Sequence, residues 1–239
     1  DDRLPAAPAN DEIARLTDVL NHSLDRLQRS LQAEARFSSD ASHQLKTPLA
    51  GLRMQAELAQ REIDAGQQDP RALKRSLQQI ARSSQRAAHM VNQLLSMARA
   101  EDKETALRKQ EVRLVRLARE VVHDFVPKAM DKRIDLGYEG PEQDDASARL
   151  IGQPLLVREL IRNLVDNALQ YTPAGGEVTV RVMPDPFGQV VVLQVEDSGP
   201  GIPEAERDLV FQAFYRALGT EVDGSGLGLA IVKEIAVQH

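Results

Sequence analysis

The chain has 239 residues, 42% hydrophobic but only 3% aromatic, with no Trp, no Cys and a formal net charge of −6. An aliphatic core beside 28% charged residues favours helical bundles and coiled coils over a β-sandwich, and the acidic balance argues against a nucleic-acid binder, which would carry a basic field. The absence of Cys excludes disulfides and thiolate metal sites, and no apolar run reaches the length of a membrane span.

The first ten residues, DDRLPAAPAN, read as linker because of their prolines. From Asp11 a helical pattern begins, with Ile13, Leu16, Leu20, Leu24, Leu27 and Leu31 spaced by threes and fours and a phase slip between Leu16 and Leu24. A cleaner heptad follows: Ser42, Leu45, Leu49, Leu52, Ala56, Ala59 and Ile63. Gly66 and Pro70 in DAGQQDPR break it, and a second heptad runs Leu73, Leu77, Ile80, Ser84, Ala87, Val91, Leu94 and Ala98. The result is a helical hairpin whose two apolar stripes are too narrow for a stable two-helix unit. Pairing two copies into a four-helix bundle buries both stripes, so a homodimer is expected.

After Ala100 comes a charged linker, AEDKETALRKQE. Beyond it the pattern predicts helices over 114–126, 154–171 and 227–237 and strands over 132–138, 148–152, 177–183 and 190–196. The last two strands are Val-rich and flank PDPFGQ, a hairpin signal. This part reads as an α+β sandwich, helices on one face of a mixed sheet.

Two constellations carry chemistry. In SHQLKTPL, residues 42–49, His43 falls just off the apolar seam with Thr47 four residues on, on the same face. A neutral imidazole is a usable nucleophile near neutral pH. Taken alone His43 reads first as an ordinary surface histidine, since these are common, but Pro48 inside the helix costs about 3 kcal/mol, and something must offset it. The second constellation is a nucleotide pocket without a P-loop. Glu159, Asn163 and Asn167 recur every four residues on one helical face, with Leu156, Leu160 and Leu164 on an adjacent core face. An amide oxygen such as that of Asn167 suits Mg²⁺, which takes few protein ligands beside phosphates and water; a solvated polar face is the alternative. In VEDSGPGIP, Asp197 can accept from an exocyclic amine, and Gly199 and Gly201 allow close backbone approach, although the segment also fits an ordinary turn. GSGLGLAIV, residues 224–232, is a glycine-rich loop opening a helix, where backbone N–H groups can hold phosphate. Its GxGxG spacing and the lack of a preceding strand exclude a Rossmann loop.

In this order the segments resemble the bacterial sensor histidine kinases of two-component systems: SHQLKTPL the H-box, NLVDNALQYTP the N-box, EDSGPGIP the G1 box, VFQAFYR the F-box and GSGLGLAIV the G2 box. The resemblance implies a coiled-coil helical-hairpin dimer forming a four-helix bundle, followed by an α+β sandwich ATP-binding domain of the gyrase/Hsp90/MutL type. It places the end of a HAMP module and a signalling helix in 1–32, the dimerisation and histidine-phosphotransfer domain in 33–101, and the catalytic ATP-binding domain, C-terminally incomplete, in 102–239. It implies ATP and Mg²⁺ as cofactors and a response-regulator receiver domain as partner. Nucleic acid is not implied, and the full-length protein would be anchored in the bacterial inner membrane with this region on the cytoplasmic side.

Carried over residue by residue, His43 is the phosphoacceptor, Gln44 its neighbour, and Thr47 the group that orients water when such proteins dephosphorylate their partner. Arg216 meets the γ-phosphate. Asn167 is the Mg²⁺ ligand, with Asn163, Glu159, Gln170 and Tyr171 beside the nucleotide. Asp197 reads adenine, Gly199 and Gly201 shape that wall, and Gly224, Gly226, Leu227 and Gly228 border the phosphates below a lid. Four departures stand out: Gln44 replaces an acidic residue, Gln170 replaces a basic one, the lid between Arg216 and Gly224 is short, and the family's last strands are not in the chain. The first two keep open a protein that mainly dephosphorylates its regulator. A coiled-coil scaffold with an inactive pocket is the reading from another class, opposed by the intact Asn167, Asp197 and glycine boxes.

Overall fold

A computed structural model of the chain describes residues 12–66, 69–101, 109–142, 148–185, 187, 190–216 and 224–239. The proline-bearing start, most of the charged linker and the lid lie outside the described residues. The chain divides into two compact units, Asp1–Ser84 and Gln85–His239. Among the described residues no helix is long and apolar enough to cross a membrane.

The first unit is a helical hairpin. Helix α1 is continuous from Glu12 to Asp64, and α2 runs from Pro70 to Glu101, its second half belonging to the other unit. The break falls where Gly66 and Pro70 place it. Gly66 adopts φ +71 and donates to the Ile63 carbonyl, a left-handed helix end. Asp69 Oδ1 then accepts the Arg71 N–H, capping α2, with Pro70 in the first helical position. Helix α1 passes through Pro48 without ending.

Each heptad stripe divides in two. On α1, Leu45 and Leu52 are half-buried and Ala59 is buried, while Ser42, Leu49, Ala56 and Ile63 are exposed. On α2 within this unit, Ile80 is half-buried while Leu73, Leu77 and Ser84 are exposed. On α1 one heptad position is thus covered within the chain and the other presents a row to the outside; on α2 Leu77 and Ser84 share an exposed position, and Leu73, in register with Ile80, is exposed as well.

The second unit continues with β1 (Gln110–Arg113), α3 (Leu114–Lys132), β2 (Asp135–Glu139), β3 (Arg149–Gly152), α4 (Pro154–Tyr171), β4 (Glu177–Pro184), β5 (Val191–Asp197) and α5 (Gly228–Gln238). Strands β2 and β4 pair in parallel and β4 and β5 antiparallel, a mixed sheet containing the expected hairpin. Strands β1 and β3 form a separate antiparallel pair. The core lies between the mixed sheet and helices α3 and α4: Val121, Phe125, Ile161, Val165 and Leu169 face Val178, Val180 and Val182.

The structure corrects the expectation in four places. Strand β1 is unforeseen and uses the last residues of the charged linker; only Val112 in it is buried. Helix α3 continues past 126 through Pro127, because the burial of Phe125 and Ala129 outweighs a proline on the exposed face. It ends at Arg133, whose φ of 58 and N–H bond back to Met130 close the last turn, so β2 starts at Asp135 rather than 132. On α4 the fully buried face is Val157, Ile161, Val165 and Leu169; of the expected trio only Leu156 is buried, and Leu160 and Leu164 are half-buried.

Candidate nucleotide-binding site

Three stretches of the second unit meet at one end of its sheet: the C-terminal half of α4, the turn after β5, and the loop opening α5. Helix α4 starts where Gln153 accepts the Leu155 N–H through its side chain, with Pro154 in the first helical position. Its apolar face is buried in the core, and Glu159, Asn163 and Asn167 lie on another side of the helix. Asn163 is 9% exposed, and its amide nitrogen donates to the Glu159 carbonyl at 2.8 Å. Its amide oxygen then faces the glycine loop: a Cβ on Gly228 would lie 3.4 Å from it. Asn167 lies one turn further along, half-buried.

The last turn of α4 is held from behind. Lys132 donates to the carbonyls of Leu169 and Gln170, both at 2.7 Å. Burial, with the like charge of Lys128 second, holds this ammonium below the ordinary lysine range. The Gln170 side chain points towards the loop, its amide nitrogen 3.4 Å from where a Gly224 Cβ would be. The Tyr171 carbonyl meets the β5 turn, 3.3 Å from a hypothetical Gly199 Cβ.

In that turn, Asp197 Oδ1 accepts the Gly199 N–H at 2.8 Å, which fixes the orientation of its exposed carboxylate. Ser198 ties the turn to β4 by accepting the Glu177 N–H and donating its own N–H to the Glu177 carbonyl. Gly201 adopts φ +73 with open space around it.

The loop at α5 is built on Gly226, at φ +74. A Cβ there would stand 2.7 Å from the Phe214 carbonyl carbon and the Tyr215 oxygen, so only glycine fits. The Gly226 carbonyl accepts the Phe214 N–H at 2.9 Å, and Phe214 is itself left-handed at φ 65. Leu227 is fully buried and anchors the loop, its N–H given to the Ser225 hydroxyl at 3.1 Å. Gly224 and Arg216 are exposed.

The structure thus brings together Asn163, Gln170, Tyr171, Asp197, Gly199, Gly224, Gly226, Leu227 and Gly228. His43, Gln44 and Thr47 belong to the other unit, all exposed on α1, with the Thr47 hydroxyl donating to the His43 carbonyl at 3.4 Å. Sequence reasoning missed Lys132, Phe214 and Ser225. Only Ser225, a hydroxyl between two glycines, carried a local signal.

Glycine-lined space, an amide face and a helix N-terminus converging on one sheet end suit a nucleotide and its phosphates. An ATP-binding fold of this kind, preceded by a helical hairpin with an exposed histidine, defines the class of protein. Residues 152–239 match the family model of histidine kinase-, DNA gyrase B- and HSP90-like ATPases, and residues 33–103 match that of the His Kinase A phospho-acceptor domain. The sensor protein kinase PmrB of Pseudomonas aeruginosa is 40% identical over 229 residues, covering 95% of this chain and 46% of PmrB. The sensor protein QseC of Escherichia coli K12 is 36% identical over 236 residues, covering 99% of this chain and 50% of QseC. The chain therefore spans about half the length of the curated relatives it matches. A crystal structure of the histidine kinase ThkA in complex with the response regulator TrrA superposes with a TM-score of 0.60 at 22% identity, over 87% of this chain and 58% of that one, a likeness of fold. The chain belongs to the bacterial two-component sensor histidine kinases.

Proposed function

We propose that this chain binds ATP in the second unit, phosphorylates His43 in the first, and passes the phosphoryl group to an aspartate of a response-regulator receiver domain. The convergence of Asn163, Asp197 and the Gly224–Gly228 loop on one sheet end carries the reading. Asp197, its plane set by Gly199, accepts from the adenine amine, and Gly199 and Gly201 let the base lie close to backbone. Phosphates lie against the N-terminus of α5, bordered by Gly224, Gly226, Leu227 and Gly228, with Glu159, Asn163, Gln170 and Tyr171 along the α4 side. Asn167 is the residue that would hold Mg²⁺, which supplies neutralisation of phosphate charge. Arg216 is the cation for the γ-phosphate.

In the transfer, an imidazole nitrogen of His43 forms the N–P bond. The bond from the γ-phosphorus to the bridging oxygen breaks, ADP leaves with that electron pair, and the ring proton passes to water. An oxygen of the regulator's aspartate then forms a bond to the phosphorus as the N–P bond breaks, and the imidazole takes a proton back from water, restoring neutral His43.

The domain division of this reading is a HAMP remnant and signalling helix in 1–32, a dimerisation and phosphotransfer domain in 33–101, and an ATP-binding domain in 102–239. The exposed rows Ser42, Leu49, Ala56 and Ile63 on α1 and Leu73, Leu77 and Ser84 on α2 support a homodimer, a second copy covering what the hairpin leaves bare. Sedimentation as a monomer of 26.4 kDa would contradict that assembly. The full-length protein is anchored in the bacterial inner membrane with this region on the cytoplasmic side.

Calorimetric titration with an ATP analogue and Mg²⁺ tests the pocket. Asn167→Ala should reduce affinity at least ten-fold while the circular dichroism spectrum is unchanged. Unaltered affinity would remove Asn167 from the site. A second activity, dephosphorylation of the regulator, is favoured by Thr47, whose hydroxyl shares the exposed face of His43. Thr47→Ala should slow that reaction more than autophosphorylation; equal losses would leave the hydroxyl as a local helix bond only.

A further inference from the structure

Helix α2 carries a polar face that the heptad pattern does not account for. Within the second unit, Gln93, Ser96 and Ala100 recur at threes and fours on a side of α2 distinct from the exposed Val91 and Ala98. Ser96 is 6% exposed and Ala100 fully buried, so this face is covered although it is not apolar. Both polar residues bond to elements that carry the candidate site. The Ser225 hydroxyl donates to Gln93 Oε1 at 2.5 Å, and the Ser96 hydroxyl donates to Glu159 Oε2 at 3.3 Å.

The two bonds end on different elements, the loop that opens α5 and helix α4. Ser225 lies between Gly224 and Gly226 in the loop that opens α5, is 8% exposed, and holds the Leu227 N–H as well as Gln93. Glu159 lies one turn before Asn163, whose amide nitrogen donates to its carbonyl. Its carboxylate also stands 3.9 Å from the Arg162 guanidinium, which pairs in turn with Asp124. Ser96 therefore ties α2 to a carboxylate anchored in the α3–α4 charge network.

We propose that Gln93 and Ser96 form a nucleotide-sensitive latch: α2 docks through the groups that a bound nucleotide needs, so docking and nucleotide binding oppose each other. The inference rests on the reading of this site as an ATP site. The competition is for backbone N–H groups. A helix N-terminus holds phosphate with its first unpaired N–H groups. With α2 docked, the Leu227 N–H is taken by Ser225 Oγ, and that hydroxyl is kept in place by Gln93. A phosphate at this loop recruits the N–H, turns the Ser225 side chain, and breaks its bond to Gln93. By reciprocity, undocking α2 raises the affinity for nucleotide by the same factor that nucleotide loosens α2.

The test uses the whole chain as its dimer, with AMPPNP and Mg²⁺ as the probe. Gln93→Ala removes the acceptor without touching the pocket lining. It should bind AMPPNP about five-fold more tightly, the worth of one net hydrogen bond. Ser96→Ala should shift affinity in the same direction. Amide exchange supplies a readout without any substitution: in the parent protein, AMPPNP should speed exchange across residues 90–100. Affinity that falls or stays level in both variants would overturn the latch, as would slower exchange in that segment with nucleotide bound. Failure of the parent itself to bind AMPPNP would overturn the ATP site instead, which separates the two readings.

Discussion

His43, Gln44 and Thr47 stand exposed together on α1, and the chemistry at that point depends on what the neighbour of the histidine can accept. A carboxylate beside an imidazole accepts its N–H, fixes the tautomer and favours developing positive charge. The amide oxygen of Gln44 can accept the same bond but brings no charge. Base assistance is typically worth about 10²–10⁴-fold, of which a neutral acceptor keeps a part. Gln44→Glu is therefore expected to raise the single-turnover rate of autophosphorylation about ten-fold at saturating ATP, with nucleotide affinity unchanged. A rate equal to the parent's, in rapid-quench measurements, would mean that domain motion or another group sets the pace. At the same scale the pocket side chains were largely legible: Asn163, Asp197 and the glycines announce themselves by residue type and spacing. The pairing of Ser225 with Gln93 did not, because they are 132 residues apart and Gln93 forms no pattern with its neighbours.

The loop before α5 is the element on which the site depends most. Gly226 at φ +74 packs against the backbone of Phe214 and Tyr215, so a methyl group there meets atoms that cannot move aside. Gly226→Ala combines that clash with a left-handed conformation that costs an L-residue roughly 1–2 kcal/mol. It should lower nucleotide affinity at least ten-fold and lower the melting temperature, and calorimetric titration beside a thermal melt checks both. Binding as tight as the parent's would show that phosphate does not rest on this loop. The longer elements were readable from periodicity: the two heptads, the hairpin of β4 and β5, and α4 within its observed bounds. Strand β1 escaped because four residues with one buried side chain, Val112, give no alternation to detect. The end of α3 escaped because Pro127 looks like a stop, and only the tertiary burial of Ala129 carries the helix past it.

At the scale of the whole molecule, the heptad stripes announced two helices but not which positions each neighbour covers. That division, with Leu45, Leu52 and Ala59 covered in the chain and Leu49, Ile63 and Leu77 left bare, is a property of the folded hairpin. It supports a bundle of two chains, each presenting an exposed His43, with an ATP unit on the same polypeptide. The central claim is that the phosphoryl group of ATP bound in the second unit ends on His43 of the first. Incubation of the chain with γ-labelled ATP and Mg²⁺, followed by acid and base treatment and peptide mapping, measures this directly. The account predicts one labelled residue, His43, with a label lost in acid, stable in base and absent from His43→Ala. Label persisting in His43→Ala, or mapping to any other residue of the parent, would contradict it.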